Sequence, residues 1–236
     1  MNSIFNVVGF VFSVILAGLL SSCTPHIAST PVVEPVQVPA DFSDSKYRRD
    51  AANGANILRI DTKHSLVTII VHRGGMLARL GHDHVVASRD VIGWVDMDTG
   101  LADLYVPLEK LSVDEASLRA AAKFITQPSA GAIEGTRQNM LEKVLESAQY
   151  PFALIHITRM AMVTSLMAVT ITLHGTSRLY EVPVQMTRST EGYAFNGQLT
   201  FNQTEFGLTP FSILGGALLV EDQLDFQFNI IAGKAR

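Results

Sequence analysis

A single cysteine, Cys23, is all that 236 residues contain. No disulfide framework can therefore hold the fold, and nothing is left for an oxidising compartment to scramble. Charge is also scarce: 17% of residues are Asp, Glu, Lys or Arg, against 47% hydrophobic. The chain is drier than an average soluble domain. A net charge of -4 lacks the basic excess that a nucleic-acid partner demands. No Gly-x-Ser-x-Gly elbow is present, so Ser65 beside His64, or Ser212 with His174, has no support as a serine-hydrolase site. No internal repeat and no second composition break divides the body.

What is present begins at the N-terminus. An apolar run of 17 residues from Ile4 to Leu20, interrupted by Asn6 and Ser13, ends in Leu20-Ser21-Ser22-Cys23. A short apolar core followed by small residues has the architecture of an export signal. The run is at the lower edge of what spans a bilayer, and no Lys or Arg precedes it. The tetrapeptide resembles the lipobox of bacterial lipoproteins. That resemblance implies a signal over 1–22, cleavage before Cys23, and acyl chains on the new terminus. Thr24 in place of Asp resembles an outer-membrane address, on the periplasmic face. Residues 23–50 are read as a tether, with four of the nine prolines at Pro25, Pro31, Pro35 and Pro39. At about 3.1 Å per residue such a stretch reaches roughly 60 Å. Residues 51–236 are then one domain, with a sizeable core.

That domain is expected to be all-β. Leu224, Phe226, Phe228 and Ile230 alternate with polar residues, as do Phe195, Leu199 and Phe201, and Met167, Val169, Ile171 and Leu173. Period two marks strands with one apolar face. Leu66–Val71, Val91–Met97, Ala102–Leu108, Pro151–Thr158 and Leu179–Met186 complete the set. Strands at this density suggest an antiparallel sandwich or barrel. Met140, Leu141, Val144, Leu145 and Ala148 recur at helical spacing instead, which predicts a helix over 135–148 capped by Thr136. Asp114–Phe124 is a candidate second helix.

Five segments carry a family resemblance: Asp61-Thr-Lys-His64-Ser65 before a strand, the helix running into Tyr150-Pro151, Leu173-His174-Gly175-Thr176-Ser177, Phe201-Asn-Gln-Thr-Glu205-Phe206-Gly207-Leu208, and the last strand over 220–231. Their order and spacing resemble the YceI-like family of lipocalin-like, polyisoprenoid-binding proteins, over roughly 56–232. The resemblance implies an antiparallel lipocalin-like β-barrel with one or two short helices. It implies an interior that holds an isoprenoid or fatty-acid-like chain, with no cofactor required. The alternating faces would line it: Ile155, Ile157, Val169, Ile171, Leu173, Phe195, Leu199, Phe201, Leu224, Phe226 and Phe228. A barrel of about eight strands encloses room for its own side chains or one slim ligand, and the same alternation also describes a filled core. A ligand-free structural or partner-binding barrel is accordingly an alternative. The chain departs from the commoner family pattern at Arg137-Gln138, where many members carry Arg-Asp, and at Gly81-His82-Asp83-His84, where many carry Gly-x-Phe.

That last segment raises a second alternative. Extended, it puts His82 and His84 on one side and Asp83 on the other. Two such imidazoles can share zinc or another divalent metal at about 2.0–2.1 Å, with His64, His72 or His174 as the third ligand. An open position on that metal could activate water, which would make a metal-dependent hydrolase. A plain structural turn is the competing reading, and binding without catalysis is the expectation. The partners expected are a long-chain lipid and, through the anchor, a membrane; a homodimer is left open.

Overall fold

The computed structural model describes residues 38–40, 42–159, 165–188 and 192–234. Cys23, the expected signal over 1–22 and the expected tether up to residue 37 lie outside these. Two helices and a set of strands follow in order: α1 (Asp44–Ala52), β1 (Ile57–Ile60), β2 (Leu66–Gly74), β3 (His84–Ser88), β4 (Ile92–Asp96), β5 (Leu101–Pro107), β6 (Ser112–Val113) and α2 (Ala116–Ala121). Then come α3 (Ala130–Asn139), β7 (Phe152–Arg159), β8 (Leu166–Leu173), β9 (Thr176–Arg188), β10 (Tyr193–Asn202), β11 (Ser212–Ile213) and β12 (Leu218–Lys234). Among the described residues no helix is long and apolar enough to cross a membrane.

Every strand pairing is antiparallel, and the path β1-β4-β5-β7-β8-β9-β10-β12 returns to β1. The sheet is therefore a closed barrel of eight staves. The 17 residues of β12 make closure possible. One edge pairs β2 from Leu219 to Asn229 and then β1 from Ala232 to Lys234. Thus β1 and β2 form one broken stave, and β4 and β3 the next. The break is bridged by side chains. Ser65 Oγ accepts the Ile231 N–H at 3.0 Å, and the Asp61 N–H donates to Ile231 O at 2.8 Å. The Asp61-to-Ser65 motif is thus the splice in a barrel stave.

The other family motifs also close the barrel. His174 and Gly175 both take positive φ, 50° and 71°, in the two-residue hairpin between β8 and β9. Such hairpins require positive φ at both central residues, which glycine adopts at no steric cost. After β10 the chain makes a 3-10 turn at Gln203–Phe206, with a capping box between Asn202 and Glu205. Its Phe206 is fully buried and packs edge-on against Phe201 at 5.0 Å. Glu205 also accepts the Tyr180 hydroxyl at 2.7 Å. Burial and the carboxylate beside it push that phenol well above its ordinary pKa.

Two expectations are corrected here. The tether does not extend to residue 50, because 44–52 is α1. Tyr47 of α1 is buried, stacks on Trp94 at 6.3 Å, and donates its hydroxyl to Asp103 at 2.5 Å. The long helix also starts earlier, at Ala130. Ser129 caps it by accepting the Ala132 N–H. Gly131 and Gly135 weaken the helical signal there, which hid the first half. From Met140 to Val144 the helix widens into a π turn, so the apolar residues that carried the pattern occupy its wider end. α2 falls inside the expected 114–124 segment.

Candidate ligand cavity

The closed sheet sends alternate side chains inward, and they do not fill the space. A cavity of about 440 Å³ runs inside the barrel, within the 300–1,000 Å³ span common for ligand pockets. Ile155 and Ile157 of β7 and Val169, Ile171 and Leu173 of β8 line it. So do Phe195, Leu199 and Phe201 of β10 and Leu224, Phe226 and Phe228 of β12. Sequence reasoning did not assign the matching walls of β2 (Val67, Ile69, Val71) and β5 (Leu104, Val106), although the alternation that would have found them is present. Met140 and Val144 of the π turn, and Leu145 just after it, also line the cavity.

Gly197 shapes the interior. It pairs directly with Phe228, and a Cβ there would lie 2.4 Å from the Phe228 ring. The ring therefore lies across the glycine rather than further into the lumen. Phe226 stacks on Phe201 with centroids 4.5 Å apart. The aromatic wall is thus packed against itself.

The end of the barrel near α3 also carries an exposed apolar lip. The loop after β2 is fastened to the start of β12 by Leu77 N–H donating to Ala217 O at 2.7 Å. It exposes Met76 and Leu80, and the facing β11 segment exposes Ile213 and Leu214. Ile213, Leu218 and Gly81 reach the cavity wall beneath them.

The Gly81-to-His84 segment lies beside this lip. His82 and His84 both line the cavity. Asp83 Oδ1 accepts the backbone N–H of Arg73 at 3.0 Å and lies 3.9 Å from His72 Nδ1. His84 Nδ1 is hydrogen-bonded to Asp114 Oδ2 at 2.6 Å. Asp114, at φ 55°, also accepts the Val85 N–H at 3.0 Å and a 2.5 Å bond from Arg119. Arg119 is 1% exposed and additionally donates to Asp83 O at 2.7 Å and Thr126 O at 3.0 Å. Burial alone would raise the Asp114 carboxyl, but hydrogen bonds from His84, Val85 and Arg119 hold it below the usual carboxylate range. This network pins β3, α2 and the histidine loop together.

It does not assemble a metal centre from the suggested residues. His64, at the β1–β2 splice, bonds Asp61 at 2.7 Å, roughly 20 Å along β2 from His84 at about 3.3 Å per residue. His72 sits between the cavity-lining Val71 and Arg73, so it faces outward, 3.5 Å from Asp225. His174 packs at a tilt against Tyr150, ring centroids 4.3 Å apart, and lies 3.3 Å from Glu146 Oε2 without hydrogen-bond geometry. The His82 and His84 ring centroids are 6.5 Å apart. Among the described residues no group of three His, Cys, Asp or Glu converges on one point. Gln138, where many relatives carry Asp, bonds Glu142 at 3.0 Å, while Arg137 clamps the carbonyls of Leu111 and Glu109.

The YceI-like domain model matches residues 58–232. This chain belongs to the YceI-like family. Among solved structures it is similar to a polyisoprenoid binding domain from Saccharophagus degradans, at 14% identity and a TM-score of 0.55. That match covers 75% of this chain and 98% of the other. It is also similar to Burkholderia cenocepacia BcnA, at 13% identity and a TM-score of 0.50, over 72% of this chain and 98% of that one. These likenesses bear on the fold, an antiparallel YceI-type barrel. No curated protein matches the chain in sequence.

Proposed function

We propose that this YceI-like protein is an exported binding protein, tethered to the periplasmic face of the outer membrane through acylated Cys23, whose barrel holds one long apolar or amphiphilic chain. The observation that carries the reading is the apolar cavity of about 440 Å³ inside a closed barrel. A packed interior leaves few voids larger than a water molecule, so a void this size argues against a ligand-free barrel. Each methylene taken into it contributes about 0.8 kcal/mol, enough for a long chain to bind without a cofactor. The likeness of its barrel to that of a polyisoprenoid binding domain, together with membership of the YceI-like family, supports an isoprenoid chain in particular. The chain is held, carried or sensed, and no bond is made or broken.

Two experiments test this. A polyene-chain fluorophore titrated into delipidated protein should gain emission, and an unlabelled isoprenoid should displace it stoichiometrically; no emission gain would refute the cavity reading. For the anchor, radioactive palmitate should label the wild type, and Cys23→Ala should abolish the label. Equal labelling of both would sink the lipoprotein assignment.

A further inference from the structure

Exposed apolar side chains are gathered at one end of the barrel. Met76, Leu80, Ile125, Ile213 and Leu214 are five of the eight large hydrophobics exposed among the described residues. Met76 is 90% exposed and Ile125 fully so. They stand on three loops, 74–82, 122–129 and 208–219, that are fastened to one another. The Leu77 N–H bonds Ala217 O at 2.7 Å. Arg119 donates to Asp83 O at 2.7 Å and to Thr126 O at 3.0 Å, next to Ile125. Leu214 takes a φ of 54°, a conformation that costs any residue with a Cβ. The backbone is strained there while the side chain stays exposed. Contiguous apolar surface of this kind marks a docking face.

Three further observations decide what covers this face. The three loops hold two cations, Arg79 and Lys123, and no carboxylate, in a chain with 22 acidic and 18 basic residues. Neither cation has an ion-pair partner among the described residues. The face is also continuous with the cavity, because Ile213 and Leu218 belong both to the loops and to the wall. Finally, the N-terminal arm starts at this end. Pro39 is buried beside a hollow shared with Tyr150, Pro151 and Gly175. Those residues open β7 and turn β8 into β9, which the antiparallel order puts at the same end as the loops. Cys23 precedes Val38 by 15 residues, so a lipid on it would hold this end within at most roughly 50 Å of a bilayer. In a two-fold dimer through this face the same cations would meet each other. An anionic bilayer instead offers hydrocarbon to the apolar tips and phosphates to the cations.

We propose that these three loops dock on the surface of an anionic lipid bilayer. Met76, Leu80, Ile125 and Leu214 dip into the acyl layer, and Arg79 and Lys123 lie at the phosphates. An apolar chain then passes between bilayer and cavity without crossing water. The passage rests on the chain-binding reading above; the docking does not.

Docking is tested with full-length protein on vesicles of phosphatidylethanolamine and phosphatidylglycerol. Met76→Cys, Ile125→Cys and Leu214→Cys each carry a nitrobenzoxadiazole fluorophore on the added thiol, with Leu179→Cys of β9 as the control. Wild type treated in the same way reports Cys23 and is subtracted. A nitroxide on the lipid acyl chains should quench the three loop positions several-fold more than position 179. Equal quenching at all four overturns the docking. So does a loop fluorophore equally shielded without vesicles, which marks a second copy on that face. Phosphatidylcholine alone should support less quenching, and Arg79→Gln with Lys123→Gln should remove that difference. No difference between the two lipid compositions overturns the role of the cations. Passage is tested by mixing delipidated protein with vesicles that hold the polyene-chain fluorophore. Emission that excess phytol, a C20 isoprenoid alcohol, displaces is counted as barrel-bound. Met76→Ser, Ile125→Ser and Leu214→Ser combined should slow uptake about tenfold, a fraction of what three apolar side chains contribute in lipid. Affinity measured without vesicles should not change, since none of the three lines the cavity. Unslowed uptake overturns the passage. No uptake by the wild type, with or without vesicles, refutes the chain-binding reading and leaves the docking to stand or fall on the quenching.

Discussion

Two apolar regions of this molecule lie on opposite faces of the same staves, and they are finished differently. Outside, Trp94 of β4 is covered by Tyr47 of α1. Its indole N–H donates to Asp44 at 2.6 Å, and Arg48 and Arg59 lie over the ring. Trp94 is 3% exposed and Tyr47 1%, and both polar tips have partners. Inside, the wall leaves about 440 Å³ unfilled, and His82 Nδ1 and Ser88 Oγ have no hydrogen-bond partner among the described residues. Composition alone would not distinguish the two regions, since both are aromatic-rich. One is packed for stability; the other keeps space open at a cost in stability. A mutation in the first should therefore act on folding alone, and a mutation in the second mainly on binding.

The largest effects are expected where charge is buried. Arg119→Ala leaves Asp114 without its buried counter-ion, and breaking such a pair costs about 3–5 kcal/mol. Urea unfolding measures this. The prediction fails if the loss is below about 1 kcal/mol. Next comes the exterior patch. Trp94→Ala should cost about 3–5 kcal/mol of stability with no change in fluorophore affinity for the folded protein. An affinity loss there would erase the distinction between the two regions.

Inside the barrel the balance reverses. Phe226→Ala and Phe228→Ala enlarge a space that is already open, so each should cost less stability than the 3–5 kcal/mol typical of a packed aromatic and more ligand affinity than Trp94→Ala. Full loss of stability with unchanged binding would mark the interior as a filled core. Gly197→Ala would press its Cβ on the Phe228 ring and on the backbone carbonyl of Pro183 in β9, so both the cavity wall and the sheet must shift. We expect several-fold weaker binding, with a stability change on the order of 1 kcal/mol.

The smallest expected effect is a pH dependence. Asp114 has a folded pKa below its unfolded value. Its contribution is thus fully present above the unfolded carboxylate range and is lost as pH falls through the folded pKa. Wild type should lose stability below about pH 4, and the deficit of Asp114→Asn seen at pH 7 should narrow there. A deficit constant from pH 7 to pH 3 would contradict this.

The sequence disclosed regions of this barrel unequally, for physical reasons. β8, β10 and β12 have a buried and a wet face, so alternation marks them. β3 does not alternate, because Val85, Val86 and Ala87 are all buried, the outer side being covered by the Asp114–Arg119 network. The shortness of β1 likewise hid it. α1 was read as part of the tether because Tyr47 is its only buried residue, too little to set a helical apolar stripe. Three of the five family motifs were legible because they form the splice, the β8–β9 turn and the capping box after β10, where backbone geometry restricts residue choice. The role of His84 was not legible. Its partner Asp114 is thirty residues away, and only the closed sheet brings them together.

The central claim is that the barrel interior is occupied by a ligand chain, and native mass spectrometry of the full-length protein purified without delipidation tests it most directly. The account predicts a non-covalent adduct of a single long-chain molecule, lost on delipidation, regained on adding phytol, and retained by Trp94→Ala but diminished in Phe226→Ala. A spectrum showing only the protein mass, before and after addition of phytol, would contradict it.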